Sequence, residues 1–326
     1  MRRRSLALCL AALVATATGP GAAERLVLYT SQPTDQMKAV LELFRKVEPA
    51  IDVELFRSGT TEVMNKLAAE FAAGAPQADV VLIADEVAIT QLARADRLLA
   101  YPEAPVARLP KSFYDPEMRW FGTKVITTGI VYNTNLVKDP PRSWTDLLRA
   151  DARGRLIMPS PLYSGAAVIH VGTLAEQPGL GWGYFEKLAD LGALSARGNG
   201  AVLDAVAKGE RAYGMLIDYM ALGAKAKGSP VEFVFPAEGV TAITQPVAIL
   251  KTARNVVAAK RFVDFQLSEA AQRQAVEQNY IPALTGIAPP PAFPDVSKIR
   301  VMAVDPAILV EKDEENKKRF ADLFGG

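Results

Sequence analysis

The sequence has 326 residues, with 37 basic and 36 acidic side chains and a formal net charge of +1 at pH 7. Such a balance excludes the strongly basic surface of a nucleic-acid-binding protein. A chain of this length can bury a sizeable core, because it hides roughly three quarters of the surface that it exposes when unfolded. Cys9 is the only cysteine and His170 the only histidine, which excludes a Cys/His metal centre. We therefore expect no nucleic-acid partner and no cofactor.

Residues 1–23 have the order of a cleavable secretory signal peptide. Arginines at positions 2–4 precede an apolar run at 6–17, and small residues follow as far as Ala23. The run is about a dozen residues long and shorter than the ~20 that span a bilayer, so a retained anchor is the less favoured alternative. Cleavage near Ala23 would remove Cys9 and leave 34 basic against 36 acidic residues in a soluble periplasmic protein.

The next 70 residues alternate between strand-like and helix-like segments. Strands are predicted at 26–31, 51–56 and 80–84, and helices with apolar residues at helical spacing at 35–47, 61–73 and 87–95. Because helices of ten or so residues separate the strands, we expect a parallel sheet with helices on both faces.

The pattern changes beyond residue 120. The predicted elements are a long strand at 124–132, a helix at 143–148 that Ser143 caps, a strand at 155–158, a second long strand at 240–250, and helices at 258–267 and 314–323.

Two long strands that bracket a middle α/β unit predict two doubly wound α/β lobes joined by two crossing strands. The first lobe would hold residues 24–128 and 246–326, and the second lobe would hold residues 129–245. Segments at such crossings can absorb a hinge motion.

Small polar residues follow most of the predicted strands. Ligands of doubly wound sheets bind at the carboxyl ends of the strands. The candidates at those ends are Ser31, Ser58, Gly59, Thr60, Thr61, Asp85, Tyr163, Ser164, Gly165, Asn199, Asp218 and Tyr219.

Three of these strand ends lead directly into helices, at 58–61, 164–165 and 198–200. A helix start has unpaired amides and the positive end of the helix dipole, which together favour an anion such as phosphate or carboxylate. No serine lies in a Gly-x-Ser-x-Gly elbow, and His170 alone could serve a serine as base. We therefore expect a binding protein and no enzyme.

Seven segments resemble the periplasmic solute-binding proteins of ABC importers, in the branch called ferric-iron-binding-like. They are LYTS at 28–31, FRSGT at 56–60, GIVYN at 129–133, SWTDLL at 143–148, the SP and SG pairs within 160–165, KGE at 208–210 and PVAILK at 246–251. The resemblance covers nearly the whole chain after residue 23. It implies the type 2 fold, in which two lobes close on a ligand and a membrane permease receives the closed form.

The resemblance also bears on the ligand. Iron carriers of this branch have an adjacent pair of tyrosines in the second lobe, where this sequence has Tyr219 and Met220. Ferric iron prefers oxygen ligands, and a thioether does not suit it. Related members carry phosphonates, sugar phosphates or similar organic anions, which the resemblance implies for this chain, as a monomer that delivers its ligand to an ABC permease.

On this hypothesis, the residues at 58–61 and 164–165 take the anionic group. The rest of the ligand would contact Ser31, Tyr163, Asn199, Asp218, Tyr219 and Gln245, with Asp85 and Asp218 available for hydroxyls or an amine. Two alternatives stay open. One is a ferric carrier that uses Tyr219, other tyrosines and a bound anion, and the other is a sensory binding protein that reports to a membrane kinase.

Overall fold

The computed structural model describes residues 24–325, so the predicted signal peptide lies outside the described residues. The strands are β1 (Glu24–Thr30), β2 (Ile51–Arg57), β3 (Val80–Leu82), β4 (Trp120–Gly122), β5 (Lys124–Asn133), β6 (Leu156–Pro159), β7 (Leu194–Ala196), β8 (Tyr213–Ile217), β9 (Val231–Val234), β10 (Thr241–Ile243), β11 (Pro246–Ile249) and β12 (Ile281–Pro282). The helices are α1 (Thr34–Val47), α2 (Thr60–Ala72), α3 (Glu86–Arg94), α4 (Gly165–Ala175), α5 (Gly181–Asp190), α6 (Asn199–Ala207), α7 (Asp218–Ala226), α8 (Val256–Gln266), α9 (Glu269–Glu277), α10 (Pro306–Glu311) and α11 (Asp313–Phe324).

The strands form two separate sheets. The first has the order β2-β1-β3-β11-β4, with β1 parallel to both β2 and β3 and with β11 antiparallel to its neighbours. The second has the order β10-β5-β8-β6-β7, and β9 and β12 also pair with β5. Helices cover both sheets, as the alternation of strands and helices predicted. The first six predicted elements are confirmed to within two residues at each end.

The chain passes between the sheets at two adjacent strand connections, and again after α9, where β12 pairs with β5 and α11 packs on α4. It leaves the first sheet at Thr123, between β4 and β5, and returns at Thr244 and Gln245, between β10 and β11. The passages are bonded to each other, since the Thr123 amide donates to the Thr244 carbonyl at 2.9 Å and its hydroxyl to the Gln245 carbonyl at 2.8 Å. The two predicted crossings are therefore present, while the residue-level division into lobes stays a prediction.

The prediction of one unbroken strand at 240–250 is wrong. Strand β10 belongs to the second sheet and β11 to the first, and Gln245 between them has a φ of 34°. A non-glycine residue reaches positive φ only at a local cost, and here the turn redirects the chain from one sheet to the other. Hydrophobic pattern alone cannot reveal this break, because both halves of the run are buried strands.

The helix predicted at 143–148 is a single 3₁₀ turn, Thr145–Leu148. The N-cap position is Trp144 and not Ser143, but the Ser143 hydroxyl accepts from the Asp146 amide at 3.1 Å. Trp144 is fully buried and donates its indole N–H to the Gly239 carbonyl at 2.8 Å. This hydrogen bond holds the turn in place. The turn ends at Arg149, because that residue has extended backbone (φ −66°, ψ 153°).

Candidate functional site

A cavity of about 380 Å³ lies where the strand ends of the two sheets face each other. Helices α2, α4 and α6 all begin at its wall, and segments from the first sheet, the second sheet and the passage between them contribute to the lining. Nine of the thirteen sequence candidates line it: Ser31, Gly59, Thr60, Tyr163, Ser164, Gly165, Asn199, Tyr219 and Gln245.

The three helix starts converge on this one cavity. Helix α2 begins after Gly59, α4 after Ser164 and α6 after Gly198, and all three of these residues line the wall. The first amides of a helix have no partner within the helix, and the helix dipole is positive at that end. Three such ends around one space make it favourable for negative charge.

Two arginines reinforce the positive potential of the site. Arg57 ends β2, and its Nε donates to the Gln32 carbonyl at 3.1 Å; Arg197 follows β7, with its guanidinium 4.7 Å from the centre of the Tyr163 ring. Both line the cavity, whereas no aspartate or glutamate does. Within residues 24–325 the lining therefore carries two guanidinium groups and no carboxylate, although Glu62 pairs with Arg197 from outside the lining. This set suits a ligand with a strongly anionic group.

Two buried oxygen atoms at the cavity have no hydrogen-bond donor within residues 24–325. They are Oε1 of Gln245 and Oδ1 of Asn199. The Asn199 amide nitrogen donates to the Ser164 hydroxyl at 3.1 Å, which orients that side chain. Since buried acceptors are normally paired, these atoms favour a ligand that also carries hydroxyl or amine donors.

Four of the sequence candidates lie outside the lining. The Ser58 hydroxyl donates to the Glu62 carboxylate, and the Thr61 amide donates to the Tyr163 carbonyl at 3.4 Å. Asp85 caps α3 by accepting from the Ala88 amide at 3.0 Å. Asp218 is fully buried and accepts from Thr127 and from the Tyr219 amide. In this structure these four residues position the wall of the cavity, Thr61 through its backbone amide and the other three through their side chains.

Close contacts seal the cavity on the side of Tyr163. Arg197 forms an ion pair with Glu62 of α2, and the ring of Tyr163 lies against Gly59. Gly165, the first residue of α4, lies against Ala84 and Asp85, which follow the first sheet. A side-chain carbon built on Gly165 would be 2.5 Å from the Ala84 carbonyl oxygen. Glycine is required at this position for so close an approach.

Two phenol rings form another part of the wall. Tyr219, from α7, and Tyr280, just before β12, have ring centroids 4.1 Å apart at an interplanar angle of 34°. Burial raises the pKa of Tyr219 to about 12 and that of Tyr280 well above its ordinary value. Both phenols are therefore protonated at neutral pH, and the Tyr280 hydroxyl donates to Oε1 of Gln36.

Sequence reasoning missed Gln32, Arg57, Arg197 and Tyr280. Arg57 immediately precedes the Ser58–Thr61 turn, and Arg197 immediately precedes Gly198, so the strand-end rule could have included both. Tyr280 carries no such signal. It lies after α9, about 60 residues beyond Tyr219 in the chain, and only the fold brings it to the cavity.

The pH dependence of stability should reveal the buried carboxyl of Asp85. Burial raises its pKa to about 7, from the usual ~3.9. Because this pKa is higher in the folded state than in the unfolded state, the carboxyl contributes its full stabilisation below about pH 4. That contribution to the free energy of unfolding is lost as pH rises through 7. Asp85→Asn keeps the cap, so at pH 8 it should melt roughly 5 °C above the parent protein, with only a small difference at pH 4.5. Equal melting temperatures at both pH values would contradict this assignment.

Within residues 24–325, no cluster of three or more His, Cys, Asp or Glu side chains is placed to hold a metal ion. No helix in the same range has the length and apolar character needed to cross a membrane.

The sequence at 30–273, about three quarters of the chain, matches the family described as bacterial extracellular solute-binding protein. A curated relative, the probable ABC transporter periplasmic-binding protein y4fP of Sinorhizobium fredii, is 24% identical over 274 residues, which are 80% of this chain and 74% of that protein.

Solved structures share the fold at low sequence identity. AfuA from Actinobacillus pleuropneumoniae, with exogenous fructose-6-phosphate bound, superposes with a TM-score of 0.84 at 24% identity, over 92% of this chain and 98% of that one. Iron-bound HitA from Pseudomonas aeruginosa gives a TM-score of 0.81 at 23% identity, over 92% and 99%. These likenesses confirm the predicted fold of two α/β lobes joined by two crossing strands.

Proposed function

Because the chain belongs to the bacterial extracellular solute-binding protein family, we propose that it is the periplasmic substrate-binding component of an ABC importer. Its ligand is a small organic anion, a phosphonate or a sugar phosphate. A lobe of residues 24–128 and 246–326 and a lobe of residues 129–245 close on this ligand. The protein releases it unchanged to a permease in the inner membrane.

The observation that carries this proposal is the convergence of three helix starts and two arginines on one cavity without a lining carboxylate. Phosphoryl and phosphonyl groups present several acceptor oxygens and up to two charges, which match amides at helix ends and guanidinium groups. The unpaired oxygens of Gln245 and Asn199 add acceptors for hydroxyls on the remainder of the ligand. The structure of AfuA contains fructose-6-phosphate, a ligand of this chemical class.

Binding and closure are linked on this proposal. A ligand that touches Thr60 in one lobe and Ser164 in the other stabilises the closed arrangement by contacts that an open arrangement lacks. The ion pair between Glu62 and Arg197 is exposed, with 40% and 70% of the side chains accessible, and exposed pairs contribute little. The ligand therefore supplies most of the free energy that holds the lobes together.

The proximity of Tyr219 and Tyr280 favours a second candidate, a ferric carrier. Two phenolates and a bound anion would give iron the oxygen ligands that it prefers. Against this candidate, burial raises both phenol pKa values, and the lining offers no carboxylate or histidine. An iron-loaded protein of this kind would be coloured, so its visible spectrum separates the two candidates.

Calorimetric titration tests the proposal directly. We expect one equivalent of fructose 6-phosphate, or of a phosphonate in the same panel, to bind with micromolar or tighter affinity, while the unphosphorylated sugar does not bind. Free phosphate assayed after prolonged incubation should stay at the level of the protein-free control. Tight binding of ferric citrate with a visible charge-transfer band, and no binding of the organic phosphorus compounds, would overturn it.

A further inference from the structure

A lysine without a counter-ion lies directly behind the wall of the cavity. Lys124 begins β5 at the passage between the two sheets and is only 2% exposed. Its ammonium nitrogen is 2.9 Å from Oε1 of Gln32 and 4.7 Å from the centre of the Tyr280 ring. Both Gln32 and Tyr280 line the cavity, so one layer of side chains separates Lys124 from a bound ligand.

The surroundings of Lys124 do not neutralise its charge. No carboxylate within residues 24–325 forms an ion pair with it, although fully buried lysines are almost always paired. The charged or titratable groups nearby are the phenol of Tyr280 in contact, Tyr219 stacked beyond it, Arg57 bonded to the Gln32 carbonyl, and Asp218 bonded to Thr127 of the same strand. Asp218 accepts three hydrogen bonds, from Thr127 and from the Tyr219 amide, and forms no ion pair with the ammonium group.

We propose that Lys124 is a third cation of the anion site, a positioning residue that takes up a proton when an anionic ligand enters the cavity. The inference rests on the proposed function, since a ligand with negative charge must occupy the site. The ligand supplies the counter-charge that the protein itself does not, and the neutral amine gains its proton from solvent. Gln32 and Tyr280 transmit the interaction, because the ammonium group contacts both of them.

The direction of the pH effect follows from burial. Burial lowers the pKa of Lys124 to about 7, and an anion in the cavity raises it again. Below pH 7 the lysine is already protonated, so it attracts the ligand without proton uptake. Above pH 7 the free protein has lost the proton and must regain it on binding. The contribution of Lys124 to affinity is therefore largest at acidic pH and falls as pH rises.

Titration calorimetry with fructose 6-phosphate, in two buffers of different ionisation enthalpy, measures this uptake. At pH 8 a phosphomonoester is already fully ionised, because its second pKa is near ~6, so it takes up no proton itself. We expect the parent protein to bind more than about half a proton per ligand at pH 8 and less at pH 6. Lys124→Met, of similar length and without charge, should bind the ligand about tenfold more weakly at pH 6.5 and lose most of the uptake at pH 8.

Two variants control for other causes. Lys260→Met is the first control. Lys260 also lies over a tyrosine ring, 4.4 Å from the centre of Tyr101, but it pairs with Glu103 and does not line the cavity. The Lys260→Met variant should bind the ligand and take up protons like the parent. Asp218→Asn removes the nearby carboxyl whose pKa burial raises to about 7, and proton uptake through Lys124 should persist in it.

The outcomes are distinct. Equal affinity and equal proton uptake in Lys124→Met and the parent would overturn the role of Lys124 and leave the proposed function intact. Failure of the parent to bind any organic phosphate would overturn the proposed function and this inference with it. Because Lys124→Met removes an unpaired buried charge, its melting temperature should not fall below that of the parent, which separates loss of binding from loss of folding.

Discussion

Gly165→Ala should lower the affinity for an organic phosphate by about 100-fold or more. The added methyl group would lie 2.5 Å from both the Ala84 carbonyl oxygen and the Asp85 side chain. These two residues follow the first sheet, whereas Gly165 begins α4, which follows a strand of the second sheet. The backbone of neither segment can withdraw while the cavity stays closed. Overpacking of this kind costs about 3 kcal/mol or more, which corresponds to the stated loss in affinity.

Calorimetry and the thermal shift on ligand addition measure this effect. Alanine favours a helix over glycine by about 1 kcal/mol, so the ligand-free variant should melt no lower than the parent protein. Gly183→Ala is the matched control, because a methyl group there meets nothing within 4 Å and lies in α5, away from the cavity. Full affinity in Gly165→Ala would show that closure at this contact is not required for binding.

The double variant Arg57→Ala/Arg197→Ala should bind an organic phosphate about 1,000-fold more weakly than the parent protein. A hydrogen bond to a charged group contributes about 2 kcal/mol, so each single variant should lose roughly 30-fold. Removal of Arg197 also leaves Glu62 unpaired beside the cavity, where its charge opposes an anion. The dependence of affinity on salt concentration should be strongest in the parent, weaker in each single variant and weakest in the double variant.

Arg108→Ala is the control for the loss of an exposed arginine. Its guanidinium pairs with Glu269 and the Thr285 carbonyl, and it does not line the cavity. We expect its affinity and salt dependence to equal those of the parent. An unchanged affinity in the double variant would mean that the anion binds elsewhere or that helix ends alone suffice.

Most of the fold was accessible from the sequence because its elements are local. The helices have apolar residues at helical spacing, β3 is apolar throughout, and β1 contains the apolar run 26–29, so pattern alone found them. The break at Gln245 depends on which sheet each half of the run joins, and this is a tertiary property. The 3₁₀ turn after Ser143 likewise depends on the buried indole of Trp144.

The candidate site was accessible in part for the same reason. Strand ends are recognisable locally, and the general position of a ligand in such sheets selected eight of the nine candidates that line the cavity. Asp85 directly precedes a predicted helix, so a cap was the alternative to a ligand contact, and the structure shows the cap. Asp218 was indistinguishable from a ligand-facing acid, because the sequence does not show that Thr127 occupies it. Lys124 and Tyr280 meet only in three dimensions, across the passage between the sheets.

The central claim is that the cavity holds one small organic anion. Native mass spectrometry of protein purified without refolding, followed by ³¹P NMR of the denatured extract, tests it most directly. We predict a single adduct of a few hundred daltons whose released compound contains phosphorus, with the adduct missing from Gly165→Ala. An adduct of iron, or a retained compound that carries no negative charge, would contradict the account.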